Sequence, residues 1–276
     1  MHKLLRANFS RLMKDKLFGI LMAAELFLGG LFPVFHYIDN LDEKAGWTQD
    51  STFFIMAIFV PMMLSVVTAL FIGTEYSDGT MRNKLIVGHG RSRIYAANLI
   101  TNIETAFMLM FAFMVSHICV GTPLLGWFEA DVKKIIAHVL VSLMMIVACT
   151  SIFTLIAMLC SNKAYSVAGC ILLIFFLLFM GIRITSALNE PEYYSAYSYT
   201  ENGVTVEEDE ERNPNYLSGT KREVFEFLNE FLPGGQMLKL STMKVDHLGR
   251  SAVYDGIIFV VTTGSGLLIF RKKDLK

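Results

Sequence analysis

Charge is scarce in this sequence, and its placement limits the chemistry available. Of 276 residues, 54% are hydrophobic and 18% are Asp, Glu, Lys or Arg; soluble domains run nearer about 45–50% and 25%. The informative ionic stretch lies between two apolar blocks, runs from Glu75 to Arg93 and reads EYSDGTMRNKLIVGHGRSR. Four other ionisable residues, Glu25, Glu104, Arg183 and Asp255, stand inside long apolar blocks. None of these groups makes a catalytic set. The glycine-bearing text GTEYSDGT lacks the lysine of a phosphate-binding loop, and neither H-E-x-x-H nor G-x-S-x-G occurs. His117 and His138 fall in apolar blocks and read as packed side chains rather than metal ligands. Cys119, Cys149, Cys160 and Cys170 form no Cys-x-x-Cys pair and read as small packing residues. We expect no catalytic residue and no metal site. A net charge of −1 gives no strongly basic surface for nucleic acid.

The sparse charges must be positioned by the apolar blocks. Each block is long enough to cross a hydrocarbon layer, where only a helix or a closed barrel satisfies its own backbone. Spans are predicted at about 17–38, 52–73, 95–120, 135–159, 166–184 and 252–270, so the fold class is an all-α integral membrane protein of about six transmembrane helices. In residues 1–16, Leu5, Phe9, Leu12 and Met13 recur at helical spacing, with Lys3, Arg6, Arg11 and Lys14 around them. This is an amphipathic interface helix. The first block is too long for a cleaved signal, and no small-residue cleavage site follows it.

Basic residues set the orientation. Lys3, Arg6, Arg11, Lys14 and Lys16, then Arg82, Lys84, Arg91 and Arg93, then Lys163, then Arg271, Lys272, Lys273 and Lys276 all fall on one side of six spans. Asp39, Asp42, Glu43, Asp50, Glu129 and Asp131 fall on the other, with Lys133 and Lys134 as exceptions. Both termini and the segment 75–94 are therefore expected in the cytoplasm, and residues 185–250 outside. That outer segment opens with a polar, acidic stretch, including Glu207 to Glu211, that reads as solvated loop. Thr220 with Glu223 is a capping-box signature. Val224, Phe227, Leu228, Phe231 and Leu232 then form a stripe that Pro233-Gly234-Gly235 ends, and Gln236 to Thr242 can form a second helix. We expect a helical hairpin over 220–242 that dips into the outer leaflet, followed by the last span and a basic tail over 251–276.

A charge at membrane depth costs about 2.5–3.5 kcal/mol on insertion scales, so it faces protein or water. Glu25 is the candidate for lining a transport path, with a helix–helix hydrogen bond as the alternative. Arg183 and Asp255, at similar depth on consecutive spans, are expected to pair as a structural clasp, unless each snorkels to the headgroups. Within 75–94, Ser77 can cap a short helix, Met81 to Val87, that Gly88-His89-Gly90 ends. A short helix held between two spans is a lever, although a basic loop that only fixes topology would carry the same charges.

Here the sequence resembles a family. Glu75-Tyr76, Gly79-Thr80, Asn83-Lys84-Leu85-Ile86-Val87-Gly88 and Arg91-Ser92-Arg93-Ile94-Tyr95 resemble the coupling segment of ABC-2 type transporter permeases. The likeness extends to the N-terminal helix, the six spans, the short helices before the last span and the basic tail. Two departures stand out: Asn98 occupies a place where members often carry lysine, and the insert over about 189–219 is longer than in the simplest members. The resemblance implies a permease paired with a second permease chain and with cytoplasmic ABC ATPase subunits, in a bacterial plasma membrane. ATP and Mg²⁺ would then belong to the partner and no cofactor to this chain. It implies that Glu75, Tyr76, Gly79, Thr80, Arg82, Lys84, Leu85, Arg91 and Arg93 transmit the ATPase motion. The cargo expected from this likeness, and from an interior with 16 Met and 22 Phe, is an amphipathic peptide such as a toxin, bacteriocin or antimicrobial peptide. Small drugs, ions and lipid-linked glycans are alternatives, as is a membrane sensor or resistance partner that moves nothing.

Overall fold

The computed structural model describes residues 1–42, 46–195, 197–201, 204–208, 210–245 and 247–273. The chain opens with α1 (His2–Lys14) and α2 (Lys16–Asp42). Asp15 separates them in an extended conformation, and its Oδ1 accepts the Leu17 N–H at 2.9 Å to begin the second helix. Then come α3 (Gln49–Phe53), α4 (Met56–Ser77), α5 (Thr80–Ile86), α6 (Arg91–Leu125), α7 (Val132–Leu159) and α8 (Lys163–Leu188). Short strands β1 (Tyr193–Tyr194), β2 (Tyr197–Glu201), β3 (Val204–Glu208) and β4 (Glu211–Arg212) precede α9 (Gly219–Phe231), α10 (Pro233–Ser241) and α11 (Leu248–Lys272).

Among the described residues, six helical segments are long and apolar enough to cross a membrane: α2, α3 with α4, α6, α7, α8 and α11. The all-helical membrane fold expected from the sequence is the fold observed. The helix α4 is central, packed against α6, α7 and α8, while α2 lies along α6 and α11 along α7. Small residues set these approaches. Gly29 of α2 sits against the Phe113 carbonyl and Ser116 of α6, where a Cβ would fall 2.5 Å from that oxygen. Ser151 of α7 and Thr262 of α11 share a hydrogen bond of 2.7 Å.

Several elements differ from expectation. The buried stripe of α1 is Leu4, Asn8 and Leu12, while Phe9 and Met13 stay exposed; the protein-facing side is rotated because it must carry a polar residue. Ser77 does not cap α5: its Oγ bonds back to Gly73 O at 3.1 Å, and Gly79, at φ +67°, starts the helix. That left-handed turn favours glycine. The acidic outer stretch is not all loop. β2 pairs antiparallel with β3, and β1 with β4. The signal was legible, since Asn202-Gly203 stands between runs rich in Tyr, Val and Thr.

The hairpin over 220–242 is present with shifted boundaries. Ser218, not Thr220, precedes α9, and Pro233-Gly234-Gly235 starts α10 rather than forming a turn after α9. Proline suits the first helical turn, where its missing N–H is not needed. The helix α10 is wedged among α3, α4, α7 and α8, with Met237 and Leu240 fully buried. Gly181 of α8 lies directly on the Gly234 carbonyl, and Gly234 on the Leu177 carbonyl. No side chain fits there, which is why this wedge needs glycine.

Candidate functional site

The segment flagged from sequence is organised around one buried carboxylate. Glu75 lies in the last turn of α4 and has no solvent exposure. A lone carboxylate there would be strongly disfavoured. Three side chains from three elements satisfy it: Arg11 Nη1 from α1 at 2.7 Å, Lys84 Nζ from α5, and Asn98 Nδ2 from α6 at 3.0 Å. A second tier closes the ring. Asn8 Nδ2 of α1 donates to Asn98 Oδ1 at 2.7 Å, and Lys84 Nζ donates to Asn8 Oδ1 at 2.9 Å. The Arg11 guanidinium also lies 3.8 Å over the Phe71 ring and donates to the Phe71 carbonyl at 3.4 Å. Burial lowers the pKa of the Lys84 ammonium, while the Glu75 charge opposes that pull.

Beside this node lies a second. Tyr76 Oη donates to Met158 O at 2.6 Å, at the end of α7. Lys273, just past α11, donates to Met158 O at 3.0 Å, Leu159 O at 2.7 Å and Tyr76 Oη at 3.3 Å. Its ammonium, 4.8 Å from the Tyr76 ring centroid, thus sits at the negative end of a helix. Arg91 Nη1 donates to Arg271 O at 2.9 Å. The ends of α4, α6, α7 and α11 are thereby joined at one face.

The remaining predicted residues fall into place around these nodes. Thr80 Oγ1 donates to Glu75 O at 3.1 Å and ties the turn to the helix before it. Leu85 packs on the core, whereas Arg82 and Arg93 point away from it. Beyond them, Ile86 and Val87 are 74% and 76% exposed. Two large apolar side chains at the tip of a short charged helix form a knob suited to a partner's groove. Asn8, Arg11, Asn98 and Lys273 were missed as site residues. The usable signals were a polar residue midway between Leu4 and Leu12 on the helical stripe, and a glutamate at a span end that needed cations. Asn98, read from sequence as a departure, is a full member of the ring.

Arg183 and Asp255 do not meet, so the expected clasp is not formed. Arg183 is exposed near the end of α8, while Asp255 is 1% exposed on the side of α11 that packs on α7, near Cys149 and Gln236. The span α11 packs on α7 and α6, whereas α8 packs chiefly on α4 and α10, so the two spans carrying Arg183 and Asp255 are not packed against each other. Asp255 has no hydrogen-bond partner among the described residues. Glu25 is fully buried, also without such a partner, so the helix–helix hydrogen bond considered for it is not made. Glu104 is half-buried. The histidines pack as read: His117 Nε2 lies 3.1 Å from Thr52 Oγ1, and His138 Nδ1 donates to Lys134 O at 2.9 Å. Among the described residues, no three His, Cys, Asp or Glu side chains group as metal ligands. The four cysteines are unpaired.

A bundle with six candidate spans, in which an ionic ring binds a short interspan helix to the spans on either side, is a multi-pass membrane subunit. Residues 4–181 match the family described as ABC-2 family transporter protein, and the chain belongs to it as an ABC-2 type ABC transporter permease. No curated protein matches the chain. Permeases of this family are transmembrane components that work with an ABC ATPase; the ATPase is a separate component.

Proposed function

We propose that this chain is the permease of an ATP-driven exporter that moves an amphipathic peptide out of a bacterial cell. One observation carries the mechanical part: the ring around Glu75 ties α1, α4, α5 and α6 together while leaving Ile86 and Val87 free at the tip. Force applied to that tip reaches both flanking spans, because a buried, fully paired carboxylate resists local rearrangement. In this reading the tip lies in the cytosol, on the side given by the basic residues, with both termini. A partner ATPase, which holds ATP and Mg²⁺, docks on Arg82, Ile86, Val87 and Arg93. The closing of two ATPase subunits then tilts the spans of two paired permease chains. The exposed apolar face of α2, including Phe27 and Phe35, supports a second copy or a related chain beside it.

The peptide cargo rests on the family likeness and on a chain rich in Met and Phe, side chains that adapt to varied apolar surfaces. Glu25 is the proposed path residue, a buried carboxylate that a cationic cargo would neutralise when the paired chains open. The test reconstitutes permease with ATPase in proteoliposomes supplied with a fluorescent cationic amphipathic peptide. ATP-dependent movement to one side, lost in Ile86→Asp together with ATPase co-purification, is the expected result. Peptide-stimulated ATPase without movement would replace export by a sensor or resistance role. Movement that persists in Ile86→Asp would remove the docking tip from the mechanism.

A further inference from the structure

At the end of the bundle away from Glu75, a half-open cavity of about 940 Å³ lies between the end of α8, both hairpin helices and the start of α11. Nothing in the coupling reading uses it. Its volume is that of a small-ligand site. Its walls are ionic and unbalanced: among the described residues, Arg222, Lys239, Lys244 and Arg250 face only Glu226 and Glu230. Each carboxylate is already taken by an arginine. Arg222 Nε reaches Glu226 at 3.0 Å, and Arg250 Nη1 reaches Glu230 at 3.0 Å. A guanidinium has five N–H donors, so both arginines keep donors for a further acceptor. Lys239 and Lys244 have no carboxylate partner among the described residues. The Lys244 N–H bonds to Lys239 O at 2.9 Å, which sets the two lysines beside each other on the wall.

Two further features narrow the ligand. The cavity sits where α8 ends and α11 begins, at headgroup depth for spans of this length. Beside it, Phe227, Phe231 and Tyr254 form an aromatic group with ring centroids 5.5–5.9 Å apart, and Phe227 and Val224 are half exposed. Aromatic rings at such a depth mark the membrane–water interface. A soluble anion needs no apolar face next to its site, whereas an acyl chain does. Cations here also run against the topological preference that keeps basic residues in short loops on the other face, so topology does not account for them. Basic pockets between spans are a known way to hold acidic headgroups.

We propose that this cavity binds the phosphate headgroup of an anionic phospholipid, with Lys239 and Lys244 as its principal donors. Naming the outer leaflet as its source rests on the orientation given under the proposed function; the site itself does not. The permease–ATPase complex, purified in mild detergent, is exposed to equal amounts of phosphatidylglycerol and phosphatidylcholine and examined by native mass spectrometry. Phosphatidylglycerol should be retained selectively. The double change Lys239→Gln, Lys244→Gln should weaken that retention roughly 30-fold, the loss expected for two interfacial lysines. Lys239→Arg with Lys244→Arg should restore it, with the unfolding midpoint unchanged in both variants. Equal retention of the two lipids, or no effect of the glutamine changes, would overturn the proposal. Displacement of the lipid by soluble glycerol 3-phosphate at matched concentration would also overturn it, since the ligand would then be a free phosphate.

Discussion

Glu75→Ala tests the central ring most directly. The side chain has no solvent exposure and accepts from Arg11, Lys84 and Asn98. Its removal leaves three donors without their acceptor, and they are not equivalent. The Arg11 side chain is 32% exposed and can turn to water, so its share is that of a surface pair, at most about 1 kcal/mol. Lys84 is only 14% exposed and Asn98 is fully buried. Stranding a buried charge by deleting its partner costs about 3–5 kcal/mol, and that is the expected loss of stability. The assay is reversible unfolding in mixed micelles titrated with SDS. Lys84→Met should cost less, because Glu75 keeps Arg11 and Asn98. The double variant should be more stable than the sum of the two single losses allows, by about 1–3 kcal/mol of interaction energy. A Glu75→Ala loss below about 1 kcal/mol, or strictly additive losses, would show that the ring is hydrated and carries no force.

Three other outcomes follow from particular contacts. Burial holds the Lys84 pKa below its usual 10.5, so the unfolded chain binds that proton more tightly. The lysine's contribution to stability therefore rises as pH climbs from its lowered folded value toward 10.5. Unfolding titrations between neutral and alkaline pH should show wild type gaining on Lys84→Met, and a flat or falling difference would contradict the burial. Gly234→Ala drives a methyl into the Leu177 carbonyl and should cost at least about 1–3 kcal/mol. In a Met237→Cys background the same change should raise thiol labelling as α10 loosens; unchanged labelling would mean that the wedge is not held by this approach. Arg183→Ala should shift stability by no more than about 0.5 kcal/mol. Combined with Asp255→Asn its effect should be additive within about 0.5 kcal/mol, and coupling above that in the unfolding assay would revive the clasp.

The sequence alone determined the class of solvent and the spans, and it marked one ionic segment between two of them. Long charge-free blocks in a bilayer have one backbone solution, so span positions are legible from local composition. The segment 75–93 stood out because ionic residues and turn-marking glycines lie between two such blocks, and Glu75, Tyr76, Lys84 and Arg91 were singled out within it by the resemblance to ABC-2 permease coupling segments. Tertiary structure decided the partners. Arg11 and Glu75, or Lys273 and Tyr76, are far apart in the chain, and no periodicity predicts which face of α1 turns inward or where the tail of α11 lands. The same limit explains Arg183 and Asp255: similar depth was expected from the sequence, but the neighbour order of the helices was not legible, and α11 packs on α7 and α6 while α8 packs on α4 and α10. Composition fixes how deep a residue lies along one span. Which residues meet across spans depends on how backbones approach, and here glycines such as Gly29, Gly181 and Gly234 set that approach through contacts that exist only once the bundle has formed.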